Sequence, residues 1–130
     1  MYEKVRQAVI ECCKNNCFPL VLSGDHSIGG ATISGIKMAK PNSRLGVIWI
    51  DAHADLHTPY TTPSGNVHGM PIAIAINEDN MECAVHEVDP ETVGYWNQLK
   101  NMGNKEPKVL QEDSVCMYLR DHEKEEGFRV

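Results

Sequence analysis

No apolar run in this sequence approaches the ~18 residues of a membrane-spanning helix, and Met1-Tyr2-Glu3-Lys4 opens without the basic and then greasy stretch of a secretory signal. The expectation is a cytoplasmic chain with no membrane partner. Basic residues are outnumbered, 12 Lys and Arg against 18 Asp and Glu, for a formal net charge of -6. That deficit removes the positive footprint a nucleic-acid binder requires. The five cysteines, Cys12, Cys13, Cys17, Cys83 and Cys116, contain no C-x-x-C pair and are odd in number, which fits neither a disulfide framework nor a zinc cage. Cys12, Cys13 and Cys17 lie close enough on one helix to suggest a soft-metal cluster. Cys12 also falls on that helix's apolar stripe, so packing as small hydrophobes is the expectation. Low-complexity tracts and internal repeats are absent too, and 130 residues with 42% apolar content suit a single domain, residues 1 to 130, with a modest core.

What is present reads as alternating strand and helix. Val5, Ala8, Val9 and Cys12 hold the i, i+3, i+4, i+7 spacing of an amphipathic helix over residues 2 to 16, which Asn15-Asn16 can end. Pro19-Leu20-Val21-Leu22 is a short apolar run closed by Ser23-Gly24, the pattern of a strand buried on both faces of a parallel sheet. A helix is expected over about residues 28 to 40, with Lys37 and Lys40 in its last turn and Pro41 after it. Leu45 to Ile50 reads as a second buried strand, the parallel neighbour of the first in a βαβ unit. Val115 to Leu119 is a third strand candidate, and residues 56 to 69 form a loop rich in Thr, Pro, Ser and Gly. Residues 71 to 76 suit a strand by composition or a helix with proline at its first position, and helix is preferred. Glu91 to Lys100 can form a helix, Val88-Asp89-Pro90 a turn, and Asn101 to Glu112 a surface connection.

Chemistry gathers at the strand ends. Asp51-Ala52-His53-Ala54-Asp55 follows the second strand directly, and alternate side chains of an extended segment point the same way at ~6.6 Å spacing. Such spacing can span two metals ~3.5 to 4 Å apart, which a carboxylate can bridge. The first strand ends in Ser23-Gly24-Asp25-His26-Ser27, which brings His26 to the same carboxyl edge, where open α/β sheets build ligand sites. A lone histidine after a strand is usually a satisfied polar group, and a lone D-x-H-x-D can be turn chemistry. Two such motifs converging on one edge point to a metal. Imidazole and carboxylate without thiolate suit manganese, with iron, cobalt or zinc behind it. Two cations sharing one water acidify it enough to supply hydroxide near neutral pH. Downstream, Thr58 to Pro71 offers hydroxyls, an amide and His68, an imidazole able to shuttle a proton; by itself such a loop is more often simply solvated.

Three ordered motifs, G-D-H-S at 24 to 27, D-A-H-x-D at 51 to 55 and S-G-N-x-H-G at 64 to 69, resemble the arginase or ureohydrolase family. The resemblance implies a three-layer α/β/α fold around a parallel sheet, and hydrolysis of a guanidino group to urea at two Mn2+ ions. By position, His26 and Asp55 resemble ligands of the first metal, His53 a ligand of the second, and Asp51 a bridging ligand. His68 matches the proton-shuttling histidine, while Ser64 and Asn66 match residues that hold the α-carboxylate of L-arginine. Leu119-Arg120-Asp121-His122-Glu123 resembles a segment reading roughly L-R-D-x-D, so Glu123 stands where an aspartate contacts the substrate's α-amino group. His57 replaces an asparagine that touches the carboxylate.

Family members continue to a further D-x-D pair that completes the ligand set, and no D-x-D occurs here after residue 55. The expectation is therefore a partial arginase-like domain with an incomplete sheet, inactive alone, from a protein that forms a homo-oligomer. Alternatives are an agmatinase or other guanidino-acid hydrolase, or a catalytically inactive ureohydrolase-like assembly subunit.

Overall fold

The computed structural model describes residues 1 to 120. Helix α1 (Tyr2–Lys14) buries Val9 and Ile10 and carries Glu3 in its first turn and Lys14 in its last, the polarity that suits a helix dipole. It ends as its sequence predicts, at the two asparagines. Asn16 turns left-handed with φ 56°, its N–H donates to the Cys13 carbonyl at 3.1 Å, and the Cys17 N–H donates to the Cys12 carbonyl at 3.0 Å. Those two bonds make a Schellman motif, which satisfies carbonyls the last helical turn would otherwise leave open.

Helix α2 (Gly29–Ala39) packs along α1. Two glycines let it approach its neighbours. A Cβ on Gly35 would stand 2.8 Å from the Val9 side chain and 2.9 Å from the Arg6 carbonyl, and one on Gly30 would stand 2.7 Å from Ile74. Strand β1 (Val47–Ile50) follows, then helix α3 (Pro71–Ile76), helix α4 (Pro90–Lys100) and strand β2 (Ser114–Met117). Between helix and strand, residues 71 to 76 choose helix: Pro71 sits in the first turn, where its missing N–H costs nothing, and Asn77 ends the helix left-handed at φ 59°. Asp89, expected in a turn, is the N-cap of α4 and accepts from the Thr92 N–H at 3.0 Å.

Among the described residues the sheet has two strands, β1 and β2, paired in parallel with Ile48 opposite Val115 and Ile50 opposite Met117. This corrects two expectations. Residues 19 to 22 form no strand, and Leu20 and Leu22 are 79% and 89% exposed. The neighbour of β1 is β2. A strand exists only through a ladder to a partner, and an apolar run supplies the tendency but not the partner. Nor is β1 buried on both faces. Val47 and Trp49, with Leu45, pack on Ile33, Ile72, Ala75 and Val109, while Ile48 and Ile50 on the opposite face are exposed beside exposed Val115 and Met117. The α/β fold carries a partial sheet, in line with the resemblance.

A second apolar cluster joins Met70, Ala73, Ile74 and Trp96. The connection at 101 to 112 is less superficial than expected, because Met102, Lys108 and Val109 are buried. Both the Lys108 and Val109 N–H groups donate to the Ala75 carbonyl, at 2.8 and 3.3 Å, closing the end of α3. No helix among the described residues is long and apolar enough to cross a membrane.

Candidate metal centre

His26 opens a 3-10 turn, His26–Ile28, whose shape is set by its neighbour. The Asp25 carboxylate accepts from the Ser27 N–H at 2.8 Å, and hydrogen bonding by Ser27, through its side chain first and its N–H next, holds the carboxyl below the usual range, helped by the nearby His68 and His26 rings. From the other side the Tyr2 hydroxyl donates to the Ser27 carbonyl, tying the turn to α1. Burial, then the Asp25 charge, push that phenol up to about 12, so it remains a donor at any working pH. The His26 ring rests edge-on against Trp49, centroids 5.2 Å apart, so a core residue of β1 sets its position.

Asp51 continues the ladder beyond β1, its N–H donating to the Met117 carbonyl at 3.1 Å. The chain then bends. Asp55 is left-handed at φ 52° and its carbonyl accepts from Ile72 N–H at 3.1 Å, which fastens the bend to the start of α3. A left-handed aspartate costs of order 1 kcal/mol and persists only where its surroundings impose it.

The bend brings together groups that an extended chain would string out. His26 Nδ1 lies 2.7 Å from Asp51 Oδ2 and 3.1 Å from Asp55 Oδ2, and ligand atoms from these three residues all fall within 4.8 Å of one another. His53 stands on the other side of Asp51. Its ring Nδ1 is 3.6 Å from Oδ1, its own N–H donates to that oxygen at 2.9 Å, and its side chain is 67% exposed. Even spacing of alternate ligands along an extended segment is therefore not how the site is made. Asp51 faces one histidine with each oxygen.

The donor set fits a hard or borderline divalent cation. Two carboxylates converge on one imidazole. Burial raises the Asp55 carboxyl, its hydrogen bond to His26 opposes that, and the Asp51 charge raises it further. Asp55 is only 6% exposed, so water does little to offset its charge. A cation would neutralise both acids and use the Nδ1 lone pair, which is the chemistry this set lacks by itself.

The loop beyond is pinned from beneath. His57 N–H donates to the Gly69 carbonyl at 3.0 Å, closing the loop at its neck. The His57 ring is buried, with Nδ1 3.2 Å from Thr61 Oγ1. Thr58, Thr61 and Thr62 are buried as well. Thr58 Oγ1 donates to the Asp79 carbonyl at 2.9 Å, and Thr62 Oγ1 accepts from the N–H groups of Ser64 and Gly65 at 3.3 and 3.1 Å. A solvated polar loop is the expectation from sequence, and it misses this bracing role; the repeated Thr-Pro and Thr-Thr pairs are the signal that could find it. Ser64, Asn66 and His68 sit exposed on the rim, the Ser64 hydroxyl accepting from Asn66 N–H at 3.2 Å. The turn Val67–Gly69 carrying His68 packs against the turn carrying His26. Glu123 lies outside the described residues.

A family model described as the arginase family matches residues 1–126. Arginase from Bacillus subtilis (strain 168) is 40% identical over 121 residues, covering 89% of this chain and 40% of its own length. Arginase from Brevibacillus brevis is 42% identical over 120 residues, covering 92% of this chain and 34% of its own. Among solved structures, arginase from Bacillus cereus superposes with a TM-score of 0.78 at 35% identity, over 97% of this chain and 38% of that one. The chain thus spans about two fifths or less of the length of these relatives. With three motifs in order, side chains of the first two meeting at one strand end and a family model matching nearly its whole length, the chain belongs to the arginase family.

Proposed function

We propose that this chain supplies part of the two-manganese site of an amidinohydrolase that converts L-arginine to ornithine and urea. The observation that carries the reading is the meeting of His26, Asp51 and Asp55 at the carboxyl end of β1. His26 and Asp55 would hold one cation, His53 the other, and Asp51 both, since its two oxygens already face the two histidines. The cations, when bound, supply the Lewis acidity that makes water nucleophilic near neutral pH. His68, exposed beside the His26 turn, moves a proton at its ring nitrogen. Ser64 and Asn66, on a rim braced by buried threonines, bind the substrate's carboxylate, and His57 contributes from beneath the loop. Glu123 would take the α-amino group.

Carrying only part of a complete ligand set, the isolated chain is expected to release no urea; the full gene product, as a homo-oligomer, is expected to do so. The test is urea release by the full gene product with added Mn2+, from L-arginine and from agmatine in parallel. Urea from L-arginine supports the reading, and urea from agmatine alone moves the protein to the branch whose substrate lacks a carboxylate. Release from neither would sink it and leave an assembly role.

A further inference from the structure

We infer that Cys12 and Cys17 form a redox-reactive dithiol at the end of α1, able to close into a disulfide when it meets a disulfide oxidant of the glutathione class. The Schellman turn is what pairs them. In that motif the residue three from the helix end and the second residue past its cap are brought side by side, usually as an apolar contact, and here both positions are cysteine. The geometry can be bounded. The Cys17 N–H donates to the Cys12 carbonyl at 3.0 Å. Adding the fixed reach from Cα to its carbonyl oxygen, about 2.4 Å, and from N to Cα, about 1.5 Å, caps the Cα separation at roughly 6.9 Å. Disulfides span about 4.4 to 6.8 Å, so the pair lies within reach once the hydrogen bond bends from linear.

The two thiols differ in a way that orders the chemistry. Cys17 is exposed, its Sγ 3.6 Å from the Asn15 carbonyl, whereas Cys12 is half-buried and its thiol is pushed up by burial first and by the sulfurs of Cys17 and Cys13 next. Cys17 is therefore the attacking thiolate and Cys12 the resolving one. An open groove of about 400 Å³ lined by Cys13, Cys17, Phe18, Pro19, Ile36 and Lys40 gives the oxidant room, and the Lys40 ammonium favours an anionic one. In the first step the Cys17 thiolate attacks one sulfur of oxidised glutathione and expels glutathione thiolate. In the second, the Cys12 thiolate attacks Cys17 Sγ and expels the other glutathione. The chain loses two protons and two electrons, and one glutathione disulfide takes them up to become two thiols.

Cys13 is the built-in control, since it lies on the same helical turn but its carbonyl takes the Asn16 N–H and not that of Cys17. The full chain is reduced, treated with oxidised glutathione, alkylated and cut with trypsin, which separates Cys12 and Cys13 on residues 7 to 14 from Cys17 on residues 15 to 37. The expected product is these two peptides cross-linked at two hydrogens below their summed mass, with maleimide labelling of Cys17 reduced about tenfold. Cys13→Ser keeps the cross-link; Cys12→Ser abolishes it and leaves a stable glutathione adduct on Cys17, while Cys12→Ala, with helix content checked by circular dichroism, repeats the result if serine disturbs folding. Wild-type chain that stops at the Cys17 adduct, or a cross-link that survives Cys12→Ser and is lost in Cys13→Ser, would overturn the inference.

Discussion

Two clusters of ionisable groups, one around α4 and one at the end of β1, are built on opposite terms. Around α4, the Asp79 carboxylate accepts from Lys100 Nζ and, at 2.6 Å, from Trp96 Nε1, while Lys108 Nζ donates to the carbonyls of Lys100, Asn104 and Glu106 at 2.8, 2.9 and 2.9 Å. Each charged group there has a partner of opposite character, and Lys108 Nζ has three. At the strand end, His26 Nδ1 faces both carboxylates and His53 faces Asp51 alone, so buried Asp55 shares its one imidazole with a second acid. A closed cluster has nothing further to bind and serves the fold; an open one is a site awaiting a cation. The contrast teaches that composition does not separate structure from function, whereas the balance of donors and acceptors does.

Breaking the closed cluster should cost the most stability. Lys108 is 1% exposed, and Lys108→Met leaves three carbonyls without their donor, a loss on the order of 3 kcal/mol in urea unfolding. The same residue gives a pH signature. Burial pushes its amine down to about 8, against a smaller opposing pull from Glu106. Between pH 8 and about 10.5 the unfolded chain then holds more protons than the folded one, so this group adds stability as pH rises through that window. Below pH 8 it is charged in both states and its pH dependence vanishes. The difference between wild type and Lys108→Met should therefore widen from pH 7.5 to pH 10, and a constant difference would contradict the assignment.

The open cluster should respond the other way. Asp55→Asn removes a buried carboxylate from beside Asp51, so the metal-free chain should melt no lower than wild type, while Mn2+ affinity by calorimetry should fall at least about a hundredfold, since even outer partners of a ligand cost 10- to 100-fold. A large drop in melting temperature without metal would place Asp55 among the structural charges instead. The smallest effect concerns the bolt between the two regions. Thr58→Val loses the hydrogen bond to the Asp79 carbonyl and the one received from Tyr60 N–H, at about 1 kcal/mol. It should raise hydrogen exchange across residues 58 to 69 while leaving β1 unchanged.

Much of the fold is legible in the order of the residues. Helix α1 follows from apolar spacing and its end at Asn15-Asn16, α2 from Lys37, Lys40 and Pro41 at its end, and α3 from proline at its first position, while α4 lies where residues 91 to 100 can form a helix. The strands at 47 to 50 and 114 to 117 follow from β-branched and apolar runs. His26, Asp51 and Asp55 are readable as one centre from their two motifs, but the strand expected to deliver His26 does not form, and a 3-10 turn tied to α1 by Tyr2 and set against Trp49 places it instead. The strand expected at 19 to 22 does not form because apolar content reports an appetite for burial and says nothing of which neighbour will satisfy it. The buried threonines and Lys108 escape a sequence reading for the converse reason, since their polarity suggests solvent and only the folded chain brings the carbonyls that satisfy them.

Local chemistry thus settled, from the sequence by itself, which segments coil, where they stop and which residue types could bind a cation, because caps, glycines and side-chain donors act over a few residues. Tertiary structure alone decided that β1 pairs with β2, that Asp51 turns one oxygen to each histidine, and that two lysines are buried while two leucines are bare. The meeting of His26 with Asp51 and Asp55 joins groups tens of residues apart at 2.7 and 3.1 Å, and such encounters are fixed by packing, which no local pattern encodes.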